Sequence, residues 1–253
     1  MGQALRRLLP PPRAFCVVSR GRTGSTYLLS LLDSHPGVNQ SQEVLGRYRL
    51  GLEDVREEIR RRGAGAYLER CLRRKGFERA VGFKVLYYQL EESYARRQGL
   101  PGLAGASDYL AGREDVRIIH LKRRNRLRRL VSAELASTKS EYWRVEGDAG
   151  GPEPTIRLSA EWCRRDFERT RAWEETYDGL FAHHPGLEVV YEDLAADPQR
   201  VCECVFRFLG LPPRAVSSRL VKQNTRGLRE VVENYDELKA HFAGTQWEGQ
   251  FDE

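Results

Sequence analysis

Four short segments of the chain are almost wholly apolar: Phe15–Ser19, Ala80–Val85, Val116–Leu121 and Leu187–Tyr191. A short continuous apolar run, without polar alternation, is the pattern of a strand buried on both faces, as in a parallel sheet. Between these runs the apolar positions recur at three- and four-residue intervals. That spacing predicts helices over Gly24–Ser34, Leu52–Lys75, Arg126–Tyr142, Ile156–Phe181 and Pro198–Leu209. The second of these is broken by Gly63-Ala64-Gly65, and Gly147–Pro154 (GDAGGPEP) reads as a loop. Strand–helix alternation predicts an α/β fold, P-loop-like and three-layered, with a central parallel sheet flanked by helices. The 253 residues suit a single domain over residues 1–253.

The first strand and helix are joined by an informative turn. Residues 15–32 read FCVVSRGRTGSTYLLSLL. Backbone N–H groups of a strand-to-helix turn, at the positive end of the helix dipole, bind anions. Gly21 and Gly24 let the backbone bend and approach a ligand closely. Thr23, Ser25 and Thr26 add hydroxyls, and Arg22 adds a fork of charge. The nucleoside triphosphate loop is G-x-x-x-x-G-K-[ST]. Here Gly24 is followed by Ser25 and Thr26, so the loop suits a phosphate but lacks the lysine that handles a triphosphate. A kinase of the P-loop type is correspondingly disfavoured.

A second strand-to-helix turn is basic: VRIIHLKRRNRLRRLVS, residues 116–132. Arg124 and Ser132 are eight residues apart across it (132 − 124 = 8) and are expected to converge on a further phosphate. Net charge is 42 − 36 = +6 and the pI about 9.1, which suits an anionic ligand. Nucleic acid is the other standard partner of a basic chain. The basic run starts directly after a strand, where α/β folds bind small ligands, so nucleic acid is not expected. Five cysteines at irregular spacing form no disulfide framework and no metal set. No run reaches the ~18 apolar residues of a membrane span, and the N-terminus lacks the apolar core of a secretory signal. The expected location is cytoplasmic.

Taken together, the two turns resemble those of sulfotransferases that use 3′-phosphoadenosine 5′-phosphosulfate (PAPS). In that family the first loop takes the 5′-phosphosulfate. An Arg-Asn pair with a serine eight residues after the Arg takes the 3′-phosphate, a spacing reproduced by Arg124, Asn125 and Ser132. Val221–Leu238 (VKQNTRGLREVVENYDEL) and Tyr191–Leu194 (YEDL) are similar to segments of bacterial carbohydrate sulfotransferases. The resemblance runs from Phe15 to Thr245. It implies PAPS as co-substrate, no metal, and cofactor contacts from Arg22, Thr23, Gly24, Ser25, Thr26, Arg124, Ser132, Lys222, Asn224 and Arg226. It also implies a hydroxyl acceptor, a carbohydrate or glycolipid, with a small phenol or natural product as the alternative. A nucleotide-binding module of the same fold without catalysis is a further alternative.

Sulfuryl transfer needs an acceptor oxygen in line, a base for its proton, and positive charge on the leaving phosphate oxygen. Arg22 stands where cytosolic members carry lysine, and Lys84 (GFKVL) lies at the same sheet edge. Those members use a histidine two residues after such a lysine; here that residue is Leu86, so the base lies elsewhere. Glu43, in SQEVLG after the first helix and its turn, matches the position of a catalytic glutamate in several carbohydrate and protein-tyrosine members. His35 is the rival, although its place before Pro36 suits capping or packing. Trp162, Trp143 and Tyr142 could stack on adenine or sugar, with Trp162 expected in the core.

Overall fold

The computed structural model of the protein describes residues 10–139, 144–145, 154–221 and 226–252. In chain order it runs β1 (Arg13–Ser19), α1 (Ser25–Leu32), β2 (Val38–Glu43), α2 (Arg47–Leu50), α3 (Glu53–Cys71), β3 (Ala80–Leu86), α4 (Glu92–Gln98), α5 (Ala106–Ala111) and β4 (Arg117–Lys122). It continues through α6 (Arg126–Lys139), β5 (Arg144–Val145), α7 (Ala160–Leu180), β6 (Gly186–Val190), α8 (Tyr191–Ala196), α9 (Pro198–Phe208), β7 (Leu220–Val221), α10 (Leu228–Val231) and α11 (Tyr235–Phe242).

Five strands form one parallel sheet in the order β2-β3-β1-β4-β6. It is the predicted central parallel sheet flanked by helices. In the register, Ser19 of β1 lies beside Leu86 of β3 and Leu121 of β4, and Glu43 lies beside Lys84. The carboxyl ends of four strands therefore share one edge. In open α/β sheets that edge is where ligands bind. Alternation along β1 sends Cys16 and Val18 to one face, with Phe83, Val85 and α3 residues Val55, Ile59 and Leu68. It sends Phe15 and Val17 to the other, against Leu28, Leu29 and Leu32 of α1 and Val205 and Phe206 of α9. A third cluster packs Leu127, Leu130, Val131 and Leu135 of α6 on Phe167 of α7 and on Leu228, Val231, Tyr235, Phe242, Trp247 and Phe251.

Several elements depart from the sequence-based expectation. β2 is a fifth strand in the sheet that no apolar run announces. It reads VNQSQE and buries only Val38 and Ser41, because it is an edge strand with little core to face. The fourth predicted strand stops at Val190, and Tyr191 opens α8, whose first turn carries Glu192 and Asp193. Acidic residues at that end of a helix oppose its positive dipole end and favour the switch. α7 starts at Ala160, capped by Ser159, whose hydroxyl accepts the Trp162 N–H at 3.1 Å. Ile156 pairs with Val232 in a β-bridge instead of joining that helix. The expected break in the long charged helix is a kink at Gly63, φ 77°. Trp162 is not a core residue: it is 37% exposed, and its indole N–H donates to Glu134 Oε1 at 3.1 Å. Trp143, Tyr142 and the far end of the predicted 126–142 helix lie outside the described residues, as does most of the GDAGGPEP loop.

Candidate active site

The first turn wraps tightly because two of its residues adopt left-handed backbone, Arg22 (φ 68°) and Gly24 (φ 89°). At Gly24 any side chain would be strained, and a Cβ would lie 2.4 Å from the ring of Tyr191. Glycine is required there twice over. Gly24 is also the N-cap of α1, with no side-chain cap and no acidic residue in the first turn. The positive end of the helix therefore meets no side-chain cap and no acidic side chain of its own first turn.

Carbonyl dipoles repel anions, so a cradle must turn its carbonyls away and engage them. Three consecutive carbonyls of this loop are engaged. Thr23 Oγ1 donates to Arg20 O at 2.5 Å, Arg129 Nη1 to Gly21 O at 3.5 Å, and Arg123 Nη1 to Arg22 O at 3.1 Å. Thr23 is thus buried and used inside the loop. Arg123 also stacks over Tyr191, 4.4 Å from its ring centroid. Beneath the loop, the carboxylate of Asp166 on α7 is bonded by both Arg20 and Arg129. Arg20 also bonds Thr170 and donates to Asp166 O at 2.8 Å. Asp166 is 1% exposed. Burial, then the neighbouring Arg129, pushes the Arg20 guanidinium down to about 10.

Above the loop lie the candidate catalytic groups. Lys84 is buried, and its ammonium donates to Thr26 Oγ1 at 2.7 Å while standing 3.5 Å from Glu43 Oε2. Its pKa is lowered by burial; Glu43 opposes this and Arg22 adds to it. Arg22 Nε donates to Ser132 Oγ at 3.1 Å, tying the first turn to α6. Thus two sets of contacts flank the first turn, Arg22 with Ser132 and Lys84 with Thr26 and Glu43, and the charge of Arg22 is felt at Lys84.

Other expected site residues are placed differently. Arg124 is exposed and donates to both oxygens of Asp193 at 2.7 Å, while Glu192 accepts its N–H at 3.0 Å and that of Asn125 at 3.2 Å. Asp193 holds the Arg124 charge above its ordinary pKa. Arg124 and Ser132 therefore bond different partners. Asn125 caps α6, its Oδ1 accepting the Arg128 N–H at 2.8 Å. Arg226 donates to Pro154 O at 3.0 Å. Lys222 and Asn224 lie outside the described residues. His35, past the far end of α1, uses both ring nitrogens: Nδ1 accepts the Gly37 N–H at 2.9 Å and Nε2 meets Pro212 O at 3.2 Å. Its ring packs on Phe206, and burial lowers its pKa. That is the capping and packing role.

A family model described as "Sulfotransferase family" matches residues 14–215, which takes in the cradle, Glu43, Lys84 and Ser132. The chain belongs to the sulfotransferase family. This sulfotransferase is 29% identical over 241 residues to nodulation protein H of Rhizobium tropici, covering 93% of this chain and 92% of the relative. It is 28% identical over 246 residues to nodulation protein H of Rhizobium meliloti, covering 92% of each. The crystal structure of a sulfotransferase from Alicyclobacillus acidocaldarius superposes with a TM-score of 0.54 at 19% identity, covering 93% of this chain and 92% of that one; that likeness is one of fold. Among the described residues of the sulfotransferase, no helix is long and apolar enough to cross a membrane.

Three residues that bond the first turn, its supporting arginines or Glu43 went unread in the sequence. Asp166 sits on the buried side of α7 with Cys163, Phe167 and Thr170, and an acidic residue on an apolar stripe was a visible signal. Arg123 is hidden among five arginines within Lys122–Arg129, where composition cannot single it out. Gln89 is a buried neutral amide after β3 and carried no motif.

Proposed function

We propose that this sulfotransferase moves a sulfuryl group from PAPS to a hydroxyl of a carbohydrate or glycolipid acceptor, with Glu43 as general base. The observation that carries the reading is the place of Lys84. One buried ammonium joins the first turn of α1, through Thr26, to a carboxylate on the neighbouring strand. A cation on the leaving side and a base on the acceptor side are what the transfer requires.

PAPS supplies an activated sulfuryl group whose leaving phosphate oxygen gains negative charge. The uncapped N-terminus of α1, Ser25 and Thr26 would hold its 5′ end, and Arg22 and Lys84 would offset that gain. Arg124 and Ser132, with Lys222, Asn224 and Arg226, would hold the 3′-phosphate side. Glu43 takes the acceptor hydroxyl proton as that oxygen bonds to sulfur and the sulfur–phosphate oxygen bond breaks. The carbohydrate acceptor is supported by the similarity of SQE and VKQN to carbohydrate members, and by Leu86 standing where the cytosolic members carry their histidine.

The test is calorimetric binding of adenosine 3′,5′-bisphosphate, with ATP and 5′-AMP as controls, followed by turnover of PAPS over an oligosaccharide and phenol panel. Preference for the bisphosphate and transfer to oligosaccharides is the expected result. Equal binding of all three nucleotides would overturn it. Arg124→Ala should weaken the bisphosphate about 10- to 100-fold, as expected for a charged hydrogen bond, and leave 5′-AMP unchanged. A uniform loss on both would show that Arg124 does not read the 3′-phosphate.

The lowered pKa of Lys84 adds a pH prediction. Its positive charge is lost as pH rises through a value below the ordinary 10.5. The alkaline limb of kcat should fall there, and in Lys84→Arg it should move up out of reach. An alkaline limb unchanged in Lys84→Arg would assign it to another group.

A further inference from the structure

We infer that Gln89 is a positioning residue for the proposed base: its amide ties down one oxygen of Glu43 and leaves the other to the acceptor hydroxyl. This rests on the reading of Glu43 as base. Gln89 is 1% exposed, in the 3-10 turn Tyr87–Leu90 that follows β3. A buried primary amide has to find partners at both ends. Gln89 Oε1 accepts the backbone N–H of Leu86 at 2.9 Å. A backbone N–H can only donate, so the carbonyl end of the amide is fixed there and the NH2 end must face Glu43. Gln89 Nε2 donates to Glu43 Oε1 at 2.7 Å.

The other oxygen, Oε2, is treated differently. It faces Lys84 Nζ at 3.5 Å, while the close hydrogen bond of that ammonium goes to Thr26 at 2.7 Å. The carboxylate thus has one oxygen committed to a neutral donor and one turned toward the cradle. A neutral donor suits this task, because it orients the carboxylate with less loss of basicity than a second cation would bring.

The surroundings make the same demand from three directions. β2 shifts register between Gln40 and Glu43, and Gln42 inside that shift has left-handed backbone, φ 55°. Non-glycine residues take that conformation at a cost, which persists where the structure over-determines it. At Gly46 a Cβ would lie 2.7 Å from Glu43 Oε1, so a side chain there would displace the carboxylate. The turn bearing Gln89 is itself pinned: Tyr87 OH meets His120 Nε2 at 2.6 Å, and Tyr177 OH donates to Tyr87 O at 2.8 Å. Lys84, Arg22, Tyr94 and Arg47 are charged or titratable groups that share this field, and the Gln89 variants below leave all four in place.

Gln89→Met keeps length and neutrality and removes the donor to Glu43, while Gln89→Glu keeps the acceptor for Leu86 N–H and removes only that donor. In both, turnover of PAPS should fall about tenfold or more, while calorimetric affinity for adenosine 3′,5′-bisphosphate stays within about twofold, as expected when only a proton-transfer step is disturbed. Because Gln89 acts through Glu43, adding Gln89→Met to Glu43→Gln should cost little further turnover, whereas independent effects would multiply. Full turnover in both Gln89 variants overturns the proposal, and so does a further loss of about tenfold in the double variant. Loss of bisphosphate binding in Gln89→Met would assign Gln89 to the fold and overturns it too. Full turnover in Glu43→Gln alone would instead sink the base reading.

Discussion

Glu43→Gln is expected to lower turnover by about 10²–10⁴-fold, the usual worth of a general base, with calorimetric affinity for adenosine 3′,5′-bisphosphate unchanged. The substitution keeps the shape of the side chain and its reach to Gln89 and Lys84, which bond or face its two oxygens. What it removes is the ability to accept a proton. The bond of Lys84 to Thr26 does not involve Glu43, so the cradle should be left intact. Single-turnover measurement at saturating PAPS separates the two effects. Normal turnover would leave a module that binds and transfers without this carboxylate, and the base would have to be sought among groups nearer the acceptor.

Asp166→Ala is expected to cost about 3–5 kcal/mol of stability, the range for breaking a buried ion pair. For a chain of this size that is a drop of roughly 6–20 °C in Tm. The carboxylate is 1% exposed and bonded by Arg20 and Arg129, whose side chains are themselves 13% and 5% exposed. Without it, two guanidiniums face each other with nothing between them. The loss should be felt at the site as well, since Arg129 also holds Gly21 O. Affinity for adenosine 3′,5′-bisphosphate should therefore fall in Asp166→Ala under conditions where the variant is fully folded. Thermal melting and calorimetry together check this. A Tm within about 2 °C of the parent, less than one kcal/mol at this size, would show that the two arginines find other partners.

Much of the fold was legible because buried parallel strands are written as apolar runs. β1, β3 and β4 each sit between neighbours in the sheet, and each reads as such a run. β2 was not legible for the same physical reason in reverse. An edge strand needs few apolar residues, and its polar sequence resembles a loop. Glu43 was therefore picked out by its place after a helix and turn, while the cause of its position, the register of β2 against Lys84 of β3, was invisible. The cradle was legible from its glycines and hydroxyls, since Gly24 answers a backbone demand that no other residue meets. Its support was not. Which of many arginines is buried depends on Asp166, 146 residues from Arg20 and 37 from Arg129 along the chain, and local pattern holds no trace of that pairing. Arg124 shows the opposite limit. Spacing selected it, but spacing could not show that Asp193 occupies its fork.

The third apolar cluster bears on how far this sulfotransferase can be shortened. The family match stops at residue 215, and a fragment ending there would look complete by that measure. Yet the inner side of α6, the helix that carries Arg129 and Ser132, is roofed by Leu228, Val231, Tyr235, Phe242, Trp247 and Phe251. Cutting at the boundary of the match would strip that roof and turn Leu127, Leu130, Val131 and Leu135 into a sticky surface on the helix that carries Ser132. The stretch Leu228–Phe251, although outside the recognised family segment, shares one core with α6 and should be kept with it.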